Sequence, residues 1–159
     1  MSFPRKSIVL AILLVSLDQL TKYAVSYAFV PGASLEILPF FHLTYGMNTG
    51  IAFSFFQNSN TFFLIFTLVA MLLIGFWYAK NFEKLPKLIN LCVILIFSGA
   101  MGNFIDRFFR GHVVDFLDFN IGSYHWPAFN VADSCVTIGG LILLLVLMKS
   151  KERIVSKEK

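Results

Sequence analysis

The chain has 159 residues, of which 57% are hydrophobic and only 14% are charged. In an ordinary soluble domain about 45–50% of the residues are apolar and about 25% are charged. A soluble domain of this length could not bury so much apolar surface. A disordered chain would need low hydrophobicity and high charge. The composition therefore predicts an integral membrane protein, and the small net charge of +4 matters less than where the charges lie.

Basic residues cluster at three places along the chain. Ten of the thirteen Lys and Arg lie at the N-terminus, in a short loop at 80–87 and in the tail at 149–159. Nucleic-acid binding needs a contiguous basic face, and the apolar, aromatic-rich segments between these clusters argue against one. The clusters follow the positive-inside rule, so we expect both termini and this loop on the cytoplasmic side.

Four segments are long and apolar enough to predict membrane spans, for which about 20 residues are needed. Segments 61–79 and 88–105 carry no charged residue, and 134–148 reaches spanning length if its helix begins near 127–130. The fourth is the first in the chain, and it is apolar only as far as Leu17. The predicted spans are approximately 7–29, 61–79, 88–106 and 129–148.

The first segment allows a second interpretation, a cleaved signal peptide, because Arg5 and Lys6 precede a ten-residue apolar core. Asp18 and Lys22 follow that core four residues apart, so on a helix they share one face and can pair. This spacing favours a helix that continues through them as the first membrane span.

The outer segments, 31–60 and 107–128, contain runs of strand-forming residues. Such runs occur within 35–56 and at 113–121, which reads VVDFLDFNI, and they predict short strands over the helix ends. We expect one integral membrane domain, α-helical, with four transmembrane helices, a small extracytoplasmic β-sheet subdomain and a basic cytoplasmic tail.

Acidic residues point to the chemistry. All five Asp fall at outer helix ends or in outer segments, and an ionisable group within a span suggests a function. Two carboxyl groups held close cannot both ionise readily, so one can act as an acid and the other as a base that activates water. The residues leave four candidates for such a pair open: Asp106, Asp115, Asp118 and Asp133.

Three of the four candidates also have a structural interpretation, and the cluster as a whole has a different functional one. Asp106 could pair with the adjacent Arg107, Asp118 could face water, and Asp133 could cap the last helix. The acidic cluster could also form the outer vestibule of a four-span transporter or channel. A pathway of that kind needs polar residues along the helices, and their inner halves have almost none.

Other chemistries have weaker support. The sequence has no HExxH and no GxSxG motif, and no spacing of His or Cys supports a metal site. Cys92 and Cys135 are expected to be small apolar fillers too far apart for a disulfide bond. We expect no metal and no organic cofactor.

Five short motifs then occur in a characteristic order: DQLTK at 18–22, NTGIAFS at 48–54, GNFIDR at 102–107, VVDF at 113–116 and FNVAD at 129–133. Each is weak alone, but together, on a four-span frame of this length, they resemble the bacterial lipoprotein signal peptidases, or signal peptidase II. The resemblance runs from about 18 to 133, which is nearly the whole working part of the chain. The one unusual motif residue is Ile51, where Ala is commoner.

The resemblance implies an aspartyl endopeptidase of the bacterial cytoplasmic (inner) membrane, with its site near the outer surface. It would remove the signal peptide of a prolipoprotein just before the diacylglyceryl-modified cysteine. The implied partners are lipidated prolipoprotein signal peptides and membrane lipids; a monomer is plausible. Phe53, Phe55 and Phe116 could contact acyl chains or simply anchor the protein in the membrane.

The resemblance also implies roles for individual residues. The catalytic pair would be Asp115 and Asp133, with Asp106/Asp133 as the lesser alternative. The residues implied in substrate binding and support of the dyad are Asn48, Gly50, Asn103, Asp106, Arg107 and Asn130. Asp18 and Lys22 would tie the first helix to the site.

Overall fold

Four long helices form the body of the protein in a computed structural model, which describes residues 5–50, 59–122 and 124–155. Each helix is long and apolar enough to cross a membrane. They are α1 (Arg5–Ala28), α2 (Asn60–Asn81), α3 (Lys87–Arg110) and α4 (Val131–Val155), with a short 3₁₀ helix (Phe82–Lys84) between α2 and α3. Together with the small sheet described below, they confirm the predicted fold class.

Two helices extend beyond the predicted limits. Helix α3 continues a full turn past 106 and ends at Arg110, followed by Gly111 with φ of 75°. A glycine in this left-handed conformation is a common helix stop. Arg107 therefore lies on a helix rather than in an outer loop. Helix α4 similarly runs past 148 to Val155.

A small antiparallel sheet packs against α1 and α3. Its strands, in the order in which they pair, are β1 (Ser34–Leu38), β2 (Phe41–Asn48), β3 (Val113–Ile121) and β4 (Tyr124–His125). Strand β3 coincides with the predicted strand at 113–121. Residues 51–56 of the other predicted strand region lie outside the described residues.

The β2–β3 pairing becomes irregular between Leu43 and Gly46, and Gly46 then pairs with Asp115. A Cβ at Gly46 would lie 3.2 Å from the Asp115 carbonyl oxygen, tighter than ordinary contact. A glycine there lets the two strands approach closely beside the Asp115 side chain.

Helix α3 is central and packs against α1, α2 and α4. Its close approach to α4 depends on glycines on both helices. A Cβ at Gly99 would overlap the Ala132 carbonyl oxygen, and one at Gly139 would lie 2.9 Å from the Cys92 carbonyl oxygen. Small residues of this kind let membrane helices bring their backbones together, so α3 and α4 form the tightest helix pair of the fold.

An apolar cluster packs the sheet against the C-terminal end of α1. Val25 packs with Tyr45, Val114 and Phe116, all of them buried. The sheet is thereby held in a fixed position over the helices. Cys92 and Cys135 are buried free thiols, in agreement with their interpretation as small fillers.

Candidate active site

Asp115 and Asp133 line the same cavity, although they come from different elements. Asp115 lies on β3, while Asp133 lies in the first turn of α4. The cavity has a volume of about 660 Å³ and lies between α2, α3, α4 and the sheet. Of the four carboxylates that the sequence left open, these two border it.

Asp115 is 5% exposed, and its carboxylate accepts two side-chain hydrogen bonds. Asn48 Nδ2 donates to Oδ2 at 2.9 Å and Asn130 Nδ2 donates to Oδ1 at 2.8 Å. Burial, and then the negative charge of Asp133, raise the pKa of Asp115 to about 7, and the two amide donors only partly oppose this. Asp115 can therefore hold a proton near neutral pH, and the negative charge of Asp133 favours this protonated form.

Asp133 is fixed by a reciprocal cap at the start of α4. Its Oδ2 accepts the backbone N–H of Asn130 at 3.2 Å, and its own N–H donates to Asn130 Oδ1 at 2.9 Å. This is the geometry of a capping box, with Asn and Asp in place of the usual residues. The capping interpretation of Asp133 is therefore correct, and the cap also orients the carboxylate. Its Oδ1 accepts a hydrogen bond from Asn103 Nδ2 at 2.7 Å.

Behind the cavity lies a buried charge cluster centred on Lys22. The Lys22 Nζ lies 2.9 Å from both Asp18 Oδ2 and Asp106 Oδ2, and donates to Asn103 Oδ1 at 2.9 Å. The predicted Asp18–Lys22 pair is thus confirmed. The remaining oxygen of Asp18 accepts the N–H of Ala132 at 2.8 Å, which ties α1 to the start of α4.

The expected pair between Asp106 and Arg107 is wrong. Asp106 pairs with Lys22 and, more distantly, with Arg110, whose Nε lies 3.6 Å from Oδ1. Adjacent residues on a helix point in different directions, whereas residues four apart share a face. Asp106 Oδ2 also accepts the backbone N–H of Val114 at 3.2 Å, beside Asp115 on β3. Its contacts make Asp106 a support for the site rather than a member of the cavity wall.

Arg107 holds the rim of the cavity instead. It is 9% exposed, and its Nη2 donates to the Gly50 carbonyl oxygen at 3.0 Å. Its guanidinium also lies 5.6 Å from the ring centre of Phe63 on α2. The Gly50 N–H in turn donates to Asn48 Oδ1 at 2.9 Å. Arg107 therefore steadies the turn that carries Asn48 towards Asp115.

Two residues that the sequence analysis singled out, Asp118 and Phe116, lie away from the cavity. Asp118 accepts a hydrogen bond from Thr44 at 3.1 Å and is partly buried on β3, so it does not simply face water. Phe116 is 5% exposed inside the cluster with Val25, so the suggestion that it contacts acyl chains is wrong. Phe53 and Phe55 lie outside the described residues.

Sequence reasoning missed two features of the site. Gln19 donates to Asp18, to the Gly102 carbonyl oxygen and to Asp106, at 3.0–3.3 Å. Its polar side chain between Asp18 and Lys22 was the available signal. The second is the apolar cavity wall, which Phe66 and Ala70 on α2 share with Ile138 on α4. Nothing in these apolar helices distinguishes a wall residue from one that faces lipid.

Within the described ranges, no group of three or more His, Cys, Asp and Glu side chains could hold a metal ion. The cavity offers a different set of groups: two carboxylates, two Asn side chains and one guanidinium, next to an apolar wall. Such carboxylates can exchange protons with a water molecule between them. The arrangement is suited to hydrolysis of a substrate with a long apolar part.

Comparison with known proteins gives a consistent result over nearly the whole chain. Residues 10–149 match the family model of signal peptidase (SPase) II. Lipoprotein signal peptidases of Staphylococcus aureus strains JH9 and Newman are each 37% identical over 153 residues, covering 96% of this chain and 93% of theirs.

Solved structures agree. A bacterial membrane enzyme solved by the in meso method at 2.3 Å resolution matches with a TM-score of 0.85 and 36% identity, over 95% of this chain and 92% of that one. A second, solved at 1.9 Å, has a TM-score of 0.79 and 37% identity, over 92% and 95%. These relationships do not favour the transporter or channel alternative. The chain is a multi-pass membrane protein that belongs to the signal peptidase II family of bacterial peptidases.

Proposed function

We propose that this peptidase cleaves the signal peptide of diacylglyceryl-modified prolipoproteins immediately before the lipidated cysteine, with Asp115 and Asp133 as its catalytic dyad. The observation that carries the proposal is the placement of both carboxylates on one cavity whose other walls are apolar. A signal peptide is itself apolar, so its helix-like body fits beside such walls while its scissile bond meets the carboxylates.

The proposed access route is lateral, between α2 and α4. Both helices contribute to the cavity, and each packs against α3 rather than extensively against the other. Two wall residues are also largely exposed, with Phe66 61% and Ile138 51% exposed. A substrate embedded in the bilayer could enter through this gap without leaving the apolar phase.

The two carboxyl groups of the dyad would have different protonation states because their surroundings differ. The pKa of Asp115 is raised to about 7, so we assign it the proton in the resting enzyme. Asp133 lies in the first turn of α4, where the positive end of the helix favours a carboxylate, and it accepts the backbone N–H of Asn130, so we assign it the ionised state. Asp133 then takes a proton from water as the water oxygen attacks the peptide carbonyl carbon. Asp115 gives its proton to the carbonyl oxygen.

Collapse of the resulting gem-diol completes the reaction. Asp133 returns its proton to the leaving nitrogen, the carbon–nitrogen bond breaks, and Asp115 recovers a proton from a gem-diol hydroxyl. The products are the signal peptide carboxyl group and the free amino group of the lipidated cysteine. Both carboxyl groups are back in their starting states, and the reaction consumes one water molecule.

The remaining residues are assigned supporting roles. Asn48, Asn103 and Asn130 hold the two carboxylates, and Arg107 holds Gly50 at the rim, where backbone groups can meet the substrate chain. Phe66 and other apolar wall residues would contact the signal peptide or the acyl chains. Asp106 stays outside the dyad in this proposal, because Lys22, Arg110 and the Val114 N–H already engage its carboxylate.

We further propose one membrane domain with both termini and the 80–87 loop in the cytoplasm, which places the sheet and the dyad at the extracytoplasmic surface. The distribution of basic residues supports this orientation. We assign the activity to a monomer, since one chain supplies both carboxylates and the cavity.

The experiment that tests the proposal compares one prolipoprotein with and without its diacylglyceryl group. Purified protein in detergent should release the signal peptide only from the lipidated form, with mass spectrometry locating the cut just before the modified cysteine. Cleavage of neither form by folded protein, or cleavage at another bond, would overturn it.

A further inference from the structure

The Lys22 side chain is fully buried, and its ammonium has a partner for each of its three donors. Two of the acceptors are the carboxylates of Asp18 and Asp106, at 2.9 Å each. Ion pairing accounts for those contacts. The third acceptor, also at 2.9 Å, is the amide oxygen of Asn103. This contact leads out of the charge cluster and towards the cavity.

The orientation of the Asn103 amide follows from that contact. An Asn side chain has an acceptor on one side and donors on the other. Because Lys22 engages Oδ1, Nδ2 faces Asp133 Oδ1, at 2.7 Å. In the flipped orientation an NH₂ group would face the ammonium, and an oxygen would face the carboxylate. Both contacts would then be repulsive.

Asn103 has little freedom to move away from these partners. Its Oδ1 also accepts a long hydrogen bond from Asn130 Nδ2 at 3.4 Å, and Asn130 is itself fixed by Asp115 and Asp133. Lys22, Asn103 and Asp133 therefore form a continuous chain of donors and acceptors from α1 through α3 to α4. One end is a buried cation and the other is a proposed catalytic carboxylate.

We propose that Lys22 is a positioning residue, which orients the Asn103 amide so that an N–H donor always faces the carboxylate of Asp133. This rests on the proposed function and goes beyond a role for Lys22 in tying α1 to the bundle. The N–H bond stabilises the form of Asp133 that takes a proton from water, and it fixes the direction of that carboxylate. Loss of the Lys22 donor should therefore lower the rate of the chemical step.

A simple Lys22→Met change would leave two buried carboxylates without their cation, which is strongly destabilising. We therefore compare Lys22→Met and Lys22→Gln in an Asp18→Asn background. There Asp106 retains Arg110 and the Val114 N–H. The two replacements are neutral and similar in length. Only Gln can donate a hydrogen bond to Asn103.

The Gln variant is expected to have a kcat at least about tenfold above the Met variant, within the coupling range of residues in one hydrogen-bond network. Their KM values and melting temperatures should be the same. In an added Asn103→Ala background the difference in kcat should disappear. Equal kcat values with Asn103 present, or a difference that persists in Asn103→Ala, would overturn the proposal. Lys80→Met, in the last turn of α2 and away from the cavity, controls for loss of a lysine. It should leave kcat unchanged.

If neither double variant folds, NMR on a protein with intact Lys22 tests whether Lys22 sets the orientation of the Asn103 side chain. In ¹⁵N-asparagine-labelled Asp133→Ala, the Asn103 side chain has lost its carboxylate partner but retains Lys22. The ¹H–¹⁵N heteronuclear NOE of its Nδ2 group should stay as high as in the wild type, because Lys22 still holds Oδ1. A heteronuclear NOE that falls to the value of a mobile side chain would contradict an orientation set by Lys22.

The two proposals fail in different ways. Wild-type protein that cuts the lipidated substrate and loses activity in Asp115→Asn supports the proposed function, whatever happens at Lys22. A null result for Lys22 in that active enzyme overturns only the positioning role. A wild-type protein without peptidase activity would overturn the proposed function instead, and the NMR experiment would still test the orientation of Asn103.

Discussion

The side-chain amide of Asn130 donates a hydrogen bond to the carboxylate of Asp115 over 2.8 Å. The same residue caps α4 through its reciprocal hydrogen bonds with Asp133. One fully buried side chain thus sets the position of a helix start and the relative position of two carboxylates. Stability and activity should be coupled at this residue.

Replacement of Asn130 by Ala should lower both properties. Loss of an N-cap side chain costs about 0.5–2 kcal/mol, and Asp115 loses a donor as well. We expect a lower melting temperature and, because misplaced reacting groups are costly, about a hundredfold loss of cleavage rate. Thermal unfolding and initial rates on the lipidated substrate measure these effects. Asn81→Ala, at a partly exposed position at the end of α2 and away from the cavity, should change neither; an Asn130→Ala enzyme with wild-type rate would contradict the assigned role.

The raised pKa of Asp115 gives activity a pH dependence. Its pKa is about 7, so the group loses its proton as the pH rises through 7. If the protonated form supplies the acid, kcat should fall over that range. Measurement of kcat from pH 5 to 9 tests this, and a rate that keeps rising from pH 7 to 9 would contradict it.

The raised pKa of Asp115 also makes the stability of the folded protein decrease as the pH rises. A carboxyl group in the unfolded chain has a pKa near 4, so between about pH 4 and 7 the folded state binds the extra proton. The resulting stabilisation is complete below pH 4 and is lost as the pH rises through 7. The fall in melting temperature over this range should be smaller in Asp115→Asn than in wild type. Asp118→Asn, on the same strand but off the cavity, should retain the wild-type slope.

Two glycines provide a matched test of close packing around the charge cluster. A Cβ at Gly102 would lie 2.5 Å from Asp18 Oδ2, whereas one at Gly140 would meet nothing within 4 Å. Gly102→Ala should displace Asp18 from Lys22 and from the start of α4, so we expect destabilisation and loss of activity. Gly140→Ala should be neutral or slightly stabilising, since Ala favours helices by up to about 1 kcal/mol. Melting temperatures that change equally in both variants would contradict this explanation.

The lateral access route can be blocked from α2. Ala70 lines the cavity and is partly buried, so Ala70→Trp should fill space that the signal peptide needs. We expect a higher KM and a smaller change in kcat. Ala24→Trp, at an exposed position on α1, controls for an added indole in the membrane. If KM is unchanged in a folded Ala70→Trp enzyme, the substrate does not enter beside α2.

Local patterns predicted the elements well where neighbouring residues decide the outcome. The strand at 113–121 follows from a run of β-branched and aromatic residues, and the Asp18–Lys22 pair follows from helical spacing. Strand alternation also places Asp115 and Asp118, three residues apart, on opposite faces. Only the resemblance to a family indicated which of the two faces the site.

Contacts between distant parts of the chain were beyond local reasoning. The partner of Asp106 is Lys22, which is 84 residues away in the sequence, and not its neighbour Arg107. The orientation of Asn103 depends on Lys22 and Asp133 together. Such contacts follow from the way α1, α3 and α4 pack, which the helix patterns alone do not specify.

The most direct test of the central claim is the cleavage rate of Asp115→Asn and Asp133→Asn, beside wild type and Asp118→Asn, on the lipidated substrate. Asn preserves the size of each side chain but cannot accept and return a proton. We expect both dyad variants to fold, as judged by size-exclusion profile and melting temperature, and to lose all measurable cleavage, while Asp118→Asn remains active. Full activity in either Asp115→Asn or Asp133→Asn would contradict the assignment of the dyad.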